Sequence, residues 1–234
     1  MANRDEKNGV SGEKTFVGSI DMFLSKSLLP KFAIIFLTFS VFGLSIGPAE
    51  AHHPMDFQIP QTVLQGLLSG FGHPIIGLDH LVFVVGLGFM GVLVPSGLAA
   101  LSSFILGCLV GCIVHLNSFD LPLVEPIIAS SVILVGVMIA LRYATSTYVF
   151  AVAIGILGVF HGYAYGEAII GAEVSVLGAY LIGLSIVQFC IGAMVYLGLR
   201  FLRSRFSRID FVARIAGITM GGFGAATLFG QVIS

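Results

Sequence analysis

Long runs of apolar residues dominate the chain from residue 74 onward, and short polar segments separate them. Each run is close to the ~20 residues that an α-helix needs to cross a bilayer. The pattern predicts six membrane-spanning helices, at about 74–94, 97–116, 122–141, 147–164, 174–199 and 211–231. We therefore expect an all-α membrane protein, a bundle of six transmembrane helices with no soluble domain between them.

The composition also indicates a membrane protein. Hydrophobic residues make up 57% of the chain and charged residues 10%, whereas soluble domains average about 25% charged residues. The three cysteines lie in apolar stretches, and an odd number in such places argues against a disulfide framework. We expect the lipid bilayer as the surrounding partner and no nucleic-acid partner, while the oligomeric state stays open.

The N-terminus has the features of a targeting segment. Lysines precede an apolar run at residues 32–46, and a small-x-small sequence of the kind that signal peptidase reads ends at Ala51. We predict a signal peptide over residues 1–51 and a single transmembrane domain over residues 52–234. Because the segment before the apolar run is unusually long, an uncleaved signal anchor is the alternative.

The arginines indicate which end of the bundle faces the cytoplasm, because cytoplasmic loops are enriched in lysine and arginine. Arg142 lies between the predicted third and fourth spans, and four arginines lie within 200–208, between the fifth and sixth. If the mature chain starts outside, six crossings place both loops in the cytoplasm and Ser234 outside. The signal-like start and the arginines therefore indicate the same orientation.

With this topology, imidazoles and carboxylates gather at the outer end of the bundle. An ionisable side chain at membrane depth is costly and is by default a functional-site hypothesis. Such a mixture of ligands suits a borderline divalent cation such as Ni²⁺, Co²⁺ or Zn²⁺. The side chains placed at the outer end are His52, His53, His73, Asp79, His80, His115, Asp120, Glu125, His161, Glu167 and Glu173.

The first of two polar segments contains His73 and His80. The two residues share one stripe of a regular helix but are about 10.5 Å apart along it, so they cannot bind one ion through an undistorted helix. Pro74 suits the first position of the helix, which would leave His73 in a turn that folds over; alternatively, the histidines mark successive sites. Asp79 could support a neighbouring imidazole. A structural alternative is that His73 faces lipid headgroups while Asp79 and His80 hydrogen-bond between helices.

The second segment runs from Phe160 to Glu167 and includes His161. Its glycines allow close helix packing and a broken helix end, where freed carbonyls could act as ligands. Glycines at 158, 162 and 166 are equally well explained by packing alone, whereas the histidine is not.

Two weaker features could also bind metal. Cys108, Cys112 and His115 share one helical stripe by their spacing, which is compatible with a soft site for copper or zinc or with ordinary helix packing. A mature chain starting at His52, followed by His53, could chelate through its amine and imidazole, although chain starts are often disordered.

Together the two polar segments resemble the HupE/UreJ family of small nickel and cobalt permeases. The family motif H-x5-D-H is matched in full by His73, Asp79 and His80. A second motif, FHGx[AV]xGxE, ends here in Glu167, one position earlier than the pattern, with Glu173 as a substitute. The remaining matches to the second motif are Phe160, His161, Gly162, Ala164 and Gly166.

The resemblance implies a secondary permease of the bacterial cytoplasmic membrane that imports Ni²⁺ or Co²⁺. Capture and passage would fall to His73, Asp79, His80 and His161, with Glu167 and His115 as accessories. We expect no prosthetic group, and the chain lacks the ATP-binding pattern G-x4-G-K-[ST]. Nickel and cobalt are not distinguished, because imidazole and carboxylate accept both.

An intramembrane zinc-dependent hydrolase is the rival interpretation, because the same ligands could hold zinc and activate water. The absence of H-E-x-x-H counts against it. A purely structural or assembly subunit is the third interpretation, but it would not need buried aspartate and histidine side by side.

Overall fold

The computed structural model describes residues 59–94, 97–143, 145–203 and 209–233, and regular structure within these ranges is entirely helical. The predicted signal segment, His52 and His53 lie outside the described residues. In chain order the helices are α1 (Val63–Ile76), α2 (Leu78–Leu93), α3 (Gly97–Leu116), α4 (Val124–Leu141), α5 (Thr147–Glu167), α6 (Val174–Arg203) and α7 (Ile209–Ile233).

The predicted class, an all-α membrane protein, is confirmed. Helices α3 to α7 are each long and apolar enough to cross a bilayer, and α1 with α2 makes a sixth span if the bent pair is counted as one. Outward-facing apolar side chains such as Leu106, Val152 and Phe229 are more than half exposed. A surface of this kind is suited to lipid rather than water.

The first predicted span is wrong in its boundaries. The segment predicted as one helix over 74–94 belongs to two helices, which meet at an angle of 79°. Pro74 lies inside α1, near its end, rather than at a first helical position. The N-terminus of α1 is set by Thr62 and Gln65, whose side chains each accept a hydrogen bond from the other's backbone N–H. This reciprocal capping box starts a helix well before the predicted span.

Gly77 is the point at which the bent pair breaks. Its backbone is extended, with φ −72° and ψ 97°. Its N–H donates to the carbonyl of His73 over 3.0 Å, and its own carbonyl accepts from the N–H of Leu81 over 2.9 Å. One residue therefore closes α1 and opens α2, and it keeps a backbone hydrogen bond to each helix.

Glycines bring helices into backbone contact, most extensively in three pairs. A Cβ on Gly162 of α5 would lie 2.0 Å from the carbonyl oxygen of Cys108 in α3. A Cβ on Gly70 of α1 would lie 2.2 Å from the carbonyl oxygen of Tyr180 in α6, and α4 and α7 meet in the same way through Gly217. Small residues permit this close approach in membranes. The pairs α3–α5, α1–α6 and α4–α7 form the frame of the bundle.

Arginines mark one end of the bundle, which we call the arginine end. Arg142, just after α4, forms an ion pair with Asp210 of α7 at 2.6 Å. Arg214 is buried and donates to the carbonyl of Ala140 over 3.3 Å. Because the helices alternate in direction, the C-termini of α3 and α5 lie at the opposite end, which we call the histidine end.

Candidate metal site

Three histidines from three helices meet inside the bundle, towards the histidine end. His73 comes from α1, His80 from α2 and His161 from α5, and all three are buried. The ring centroids of His73 and His80 are 6.3 Å apart, and those of His80 and His161 are 5.1 Å apart. The break at Gly77 brings His73 and His80 closer than the seven-residue rise of a regular helix allows.

Ser131 of α4 begins a hydrogen-bonded chain that orients His80. Its hydroxyl donates to the carbonyl of Ile128 over 2.6 Å. Since a hydroxyl has one hydrogen, Ser131 Oγ must accept from Nε2–H of His161, at 3.0 Å. The Nδ1 of His161 then carries a lone pair and accepts from Nδ1–H of His80 over 2.9 Å. The lone pair of His80 is therefore on Nε2.

Tyr180 of α6 orients His73 by the same logic. Its hydroxyl donates to the backbone carbonyl of Tyr165 over 2.8 Å. The same oxygen lies 3.0 Å from His73 Nδ1, so it accepts from Nδ1–H. The lone pair of His73 is therefore on Nε2 as well.

Both histidines thus have the arrangement found in metal-binding imidazoles. A ligating histidine usually donates one ring N–H to a neighbouring oxygen or nitrogen, which fixes the tautomer and leaves the other nitrogen for the metal. The Nε2 atoms of His73 and His80 are buried within the bundle. The two imidazoles are therefore the candidate nitrogen ligands of this site.

Tyr165 and two phenylalanines form the walls around these imidazoles. The Tyr165 ring centroid lies 4.3 Å from that of His80 and 5.1 Å from that of His73. Phe83 and Phe104 pack on His161 at 4.4 and 5.3 Å. These rings keep the imidazoles in an apolar setting, where electrostatic interactions are stronger than in water.

Asp79 is buried beside the histidines in the first turn of α2. Its Oδ1 accepts a hydrogen bond from the backbone N–H of His80 over 2.8 Å. A carboxylate is favoured here by the partial positive charge of a helix N-terminus. Asp79 therefore fixes the backbone of His80 and places a carboxyl group beside the histidines.

The remaining predicted ligands lie away from this group. Glu167, the last residue of α5, and Glu173 are exposed. His115 is half-buried, and its ring packs on Tyr163 with centroids 4.2 Å apart. These residues lie towards the histidine end but not among the buried imidazoles.

The stripe of Cys108, Cys112 and His115 does not form the three-ligand soft site that its spacing allows. Cys112 Sγ donates to the carbonyl of Gly162 over 3.0 Å, and the His115 ring packs on Tyr163. Over the described ranges, no three His, Cys, Asp or Glu side chains are grouped so that they could hold a metal ion. The buried site therefore offers a partial set of protein ligands.

Sequence analysis missed Ser131 and Tyr180, which fix the two tautomers. The sequence did contain a sign of their importance, because both are polar residues inside apolar spans. A polar side chain in such a span needs a hydrogen-bonding partner. Their contacts join positions 30 and 107 residues apart, and no local pattern shows such pairing.

Comparison with known proteins gives two matches. The sequence profile of the HupE/UreJ protein family matches residues 39–227. Protein HupE of Rhizobium leguminosarum bv. viciae is 30% identical over 168 residues, which cover 70% of this chain and 85% of the relative. No solved structure matches the chain. The profile covers both motif segments and every described helix at least in part. The chain therefore belongs to the HupE/UreJ family of metal transporters.

Proposed function

We propose that the protein is a secondary permease that admits Ni²⁺ or Co²⁺ through a path beginning at His73 and His80. The observation that carries the proposal is the matched orientation of the two imidazoles. Each shares its Nδ1 in a buried hydrogen bond, and we assign Nε2 as the ligand atom. Family membership supports transport rather than catalysis.

The small number of protein ligands suits passage. An ion in transit must bind well enough to enter and weakly enough to leave. Two imidazole nitrogens leave the other coordination positions to water or backbone oxygens, so the ion is not held as in a closed structural site. We assign His73 and His80 to capture, and His161 to positioning His80, because both nitrogens of His161 are occupied by hydrogen bonds.

Carboxylates supply the charge that a divalent cation needs. Asp79 is buried one residue from His80, where its charge lowers the cost of bringing a cation out of water. Glu167 and Glu173 are exposed towards the histidine end, where like charges raise the local cation concentration. Their role in this proposal is attraction, with no direct ligation of the captured ion.

We propose that the histidine end faces outward and the arginine end faces the cytoplasm. Support comes from Arg142, Arg200, Arg203 and Arg214 at one end, as the enrichment of arginine in cytoplasmic loops predicts. Inward movement of a divalent ion is then favoured by about 4.6 kcal/mol per 100 mV, from ~2.3 per unit charge. Reporter fusions after Ser234 should be active outside the membrane, and cytoplasmic activity would contradict the orientation. The signal peptide over residues 1–51 stays a prediction.

The hydrolase alternative is weakened by the geometry of Ser131 and His161. Their contact resembles that of a nucleophile and its base. However, the Ser131 hydrogen is donated to the Ile128 carbonyl, so the imidazole does not receive it. The pair is arranged to orient His80, and the hydroxyl is not prepared for attack.

Metal uptake by cells producing this chain alone would test the proposal. Nickel, cobalt, zinc and copper should be compared in competition, which also determines the preferred ion. We expect His73→Ala and His80→Ala each to abolish nickel and cobalt uptake while the protein still inserts. His115→Ala is the matched control, and it should keep most of the uptake because His115 packs on Tyr163 outside the buried group. Near-normal uptake by the His80 variant at equal expression would refute the path.

A further inference from the structure

An open cavity at the arginine end is lined by positive charge. It has a volume of about 360 Å³ and lies between the C-terminus of α2 and the last turns of α6. Residues 91–94 form one wall, and Tyr196, Arg200 and Arg203 form the other. The volume is in the range of small-molecule pockets, and none of the candidate metal ligands lines the cavity. The cavity is therefore separate from the candidate metal site.

The two arginines of the cavity differ from the other two arginines described at this end. Arg142 forms an ion pair with Asp210, and Arg214 is buried and donates to a backbone carbonyl. Arg200 and Arg203 are exposed, and over the described ranges neither forms an ion pair with a carboxylate. Two positive charges at the cavity are therefore not balanced by a carboxylate of the described chain.

Hydrogen bonds hold both guanidinium groups at the cavity and leave donors for a ligand. Arg200 Nη1 donates to the hydroxyl oxygen of Tyr196 over 3.2 Å, so the hydroxyl hydrogen remains to be donated elsewhere. Arg203 Nη1 donates to the carbonyl of Val92 over 3.4 Å. Because a guanidinium group has five N–H donors, most of them remain for other acceptors. The cavity therefore suits a ligand rich in acceptor oxygens.

The C-terminus of α2 disfavours an anion in the cavity, but this effect is the smaller one. A helix C-terminus carries about half a unit of negative charge, and the Val92 carbonyl already accepts a hydrogen bond from Arg203. The two arginines contribute two full positive charges, and guanidinium groups stay protonated in proteins. The net electrostatic effect at the cavity therefore favours an anion.

The surroundings of the cavity indicate that the anion belongs to a lipid. Helix α6 has 30 residues and is about 45 Å long, whereas the hydrocarbon core of a bilayer is about 30 Å thick. Its last turn, which carries the two arginines, can therefore reach the level of the headgroups. Leu197 and Phe201 directly follow cavity-lining residues in the chain and are more than half exposed. Acyl chains can pack on these side chains while a headgroup phosphate lies at the arginines.

We propose that Tyr196, Arg200 and Arg203 bind the phosphate group of an anionic phospholipid. A guanidinium group matches the oxygens of a phosphate with parallel hydrogen bonds, and the Tyr196 hydroxyl can donate to the same group. Basic pockets between membrane helices bind phospholipid headgroups in this way. A zwitterionic headgroup is disfavoured, because its ammonium group would lie near two guanidinium charges of the same sign. The site is independent of the proposed metal path.

Lipid titration of the purified full-length protein in an uncharged detergent, with bound lipid counted by native mass spectrometry, tests this site. Anionic phosphatidylglycerol should bind about tenfold more tightly than zwitterionic phosphatidylcholine. Arg200→Gln should weaken phosphatidylglycerol binding by about tenfold, because a charge-assisted hydrogen bond to the phosphate is lost. Arg142→Gln is the matched control, since it removes a positive charge from the same end but outside the cavity. It should keep the preference for phosphatidylglycerol.

Tyr196→Phe keeps the test decisive if Arg200→Gln does not fold. It retains the ring and removes one hydroxyl donor, so phosphatidylglycerol binding should weaken by about two- to tenfold. Equal affinity for the two lipids would overturn the proposal, and so would an equal loss of binding in Arg142→Gln and Arg200→Gln. Inorganic phosphate serves as a competitor. If it displaces phosphatidylglycerol at the same concentration as the lipid itself, the cavity binds free phosphate and the lipid assignment is wrong.

Discussion

Tyr180→Phe removes one oxygen atom from the centre of the candidate site. That oxygen accepts Nδ1–H of His73 at 3.0 Å and donates to the Tyr165 carbonyl at 2.8 Å. The phenyl ring that remains can keep its edge contact with the His73 ring, at a centroid distance of 6.2 Å. The substitution therefore tests the orienting hydrogen bond with little change in packing.

The substitution should weaken metal binding and folding by comparable free energies. Each lost hydrogen bond contributes about 0.5–1.5 kcal/mol, so the free energy of unfolding should fall by about 1–3 kcal/mol. Without its acceptor, the His73 ring can carry its hydrogen on either nitrogen and can rotate. Loss of such a partner typically costs 10–100-fold in metal affinity, which corresponds to about 1.4–2.8 kcal/mol.

The assay is equilibrium binding of Ni²⁺ and Co²⁺ to the purified protein in detergent, with thermal unfolding measured on the same samples. Tyr163→Phe is the matched control, because Tyr163 packs on His115 outside the buried group. Nickel affinity of the control should be unchanged. If folded Tyr180→Phe protein binds nickel with an affinity within about twofold of that of the unmodified protein, the hydrogen bond from His73 to Tyr180 is not needed for metal binding. That result would refute the orienting role of Tyr180.

Two further predictions concern the surroundings of the site. Ser131→Ala removes the acceptor for His161 Nε2–H, so the series of hydrogen bonds that orients His80 is lost. Metal uptake should fall by about tenfold without loss of inserted protein, and unchanged uptake would show that these hydrogen bonds do not orient His80. Gly162→Ala places a Cβ against the Cys108 carbonyl and should lower the free energy of unfolding by at least about 1–3 kcal/mol. Gly178→Ala is the control, because a Cβ added there has no atom within 4 Å, and its stability should not fall. Equal melting temperatures for the two glycine variants would contradict the close α3–α5 contact.

The sequence alone was sufficient to predict five of the spans. Helices α3 to α7 fall on the predicted runs with ends that differ by about four residues at most. This agreement has a simple cause, because a helix that crosses a bilayer must be apolar over nearly its whole length. The prediction needs no knowledge of which helices are neighbours.

The bend was not predictable from hydropathy, because α1 and α2 are both apolar on each side of Gly77. Pro74 drew attention to the correct region, but α1 continues past it and the chain turns three residues later. The capping box of Thr62 and Gln65 was a readable sign that a helix starts early. It would have placed His73 near the end of one helix and His80 near the start of another.

The candidate site was predicted in part. The family motifs identified His73, Asp79, His80 and His161, and the structure brings all four into one buried region. Their division into metal ligands and positioning residues depends on hydrogen bonds to Ser131 and Tyr180, which come from other helices. Such tertiary contacts are specified by packing, and the spacing of residues along the chain does not show them.

The glycine-mediated helix pairs also have a consequence for biogenesis. None of the three pairs joins helices that are neighbours in the chain, and His73 meets Tyr180 only across 107 residues. Helices inserted one after another therefore cannot complete the frame as successive hairpins. While α6 is still being synthesised, α1 has no glycine-mediated partner and the His73 ring has no hydroxyl to orient it. The proposed capture site can form only after α6 has inserted, so a nascent chain that is still being made cannot yet bind metal in the proposed way.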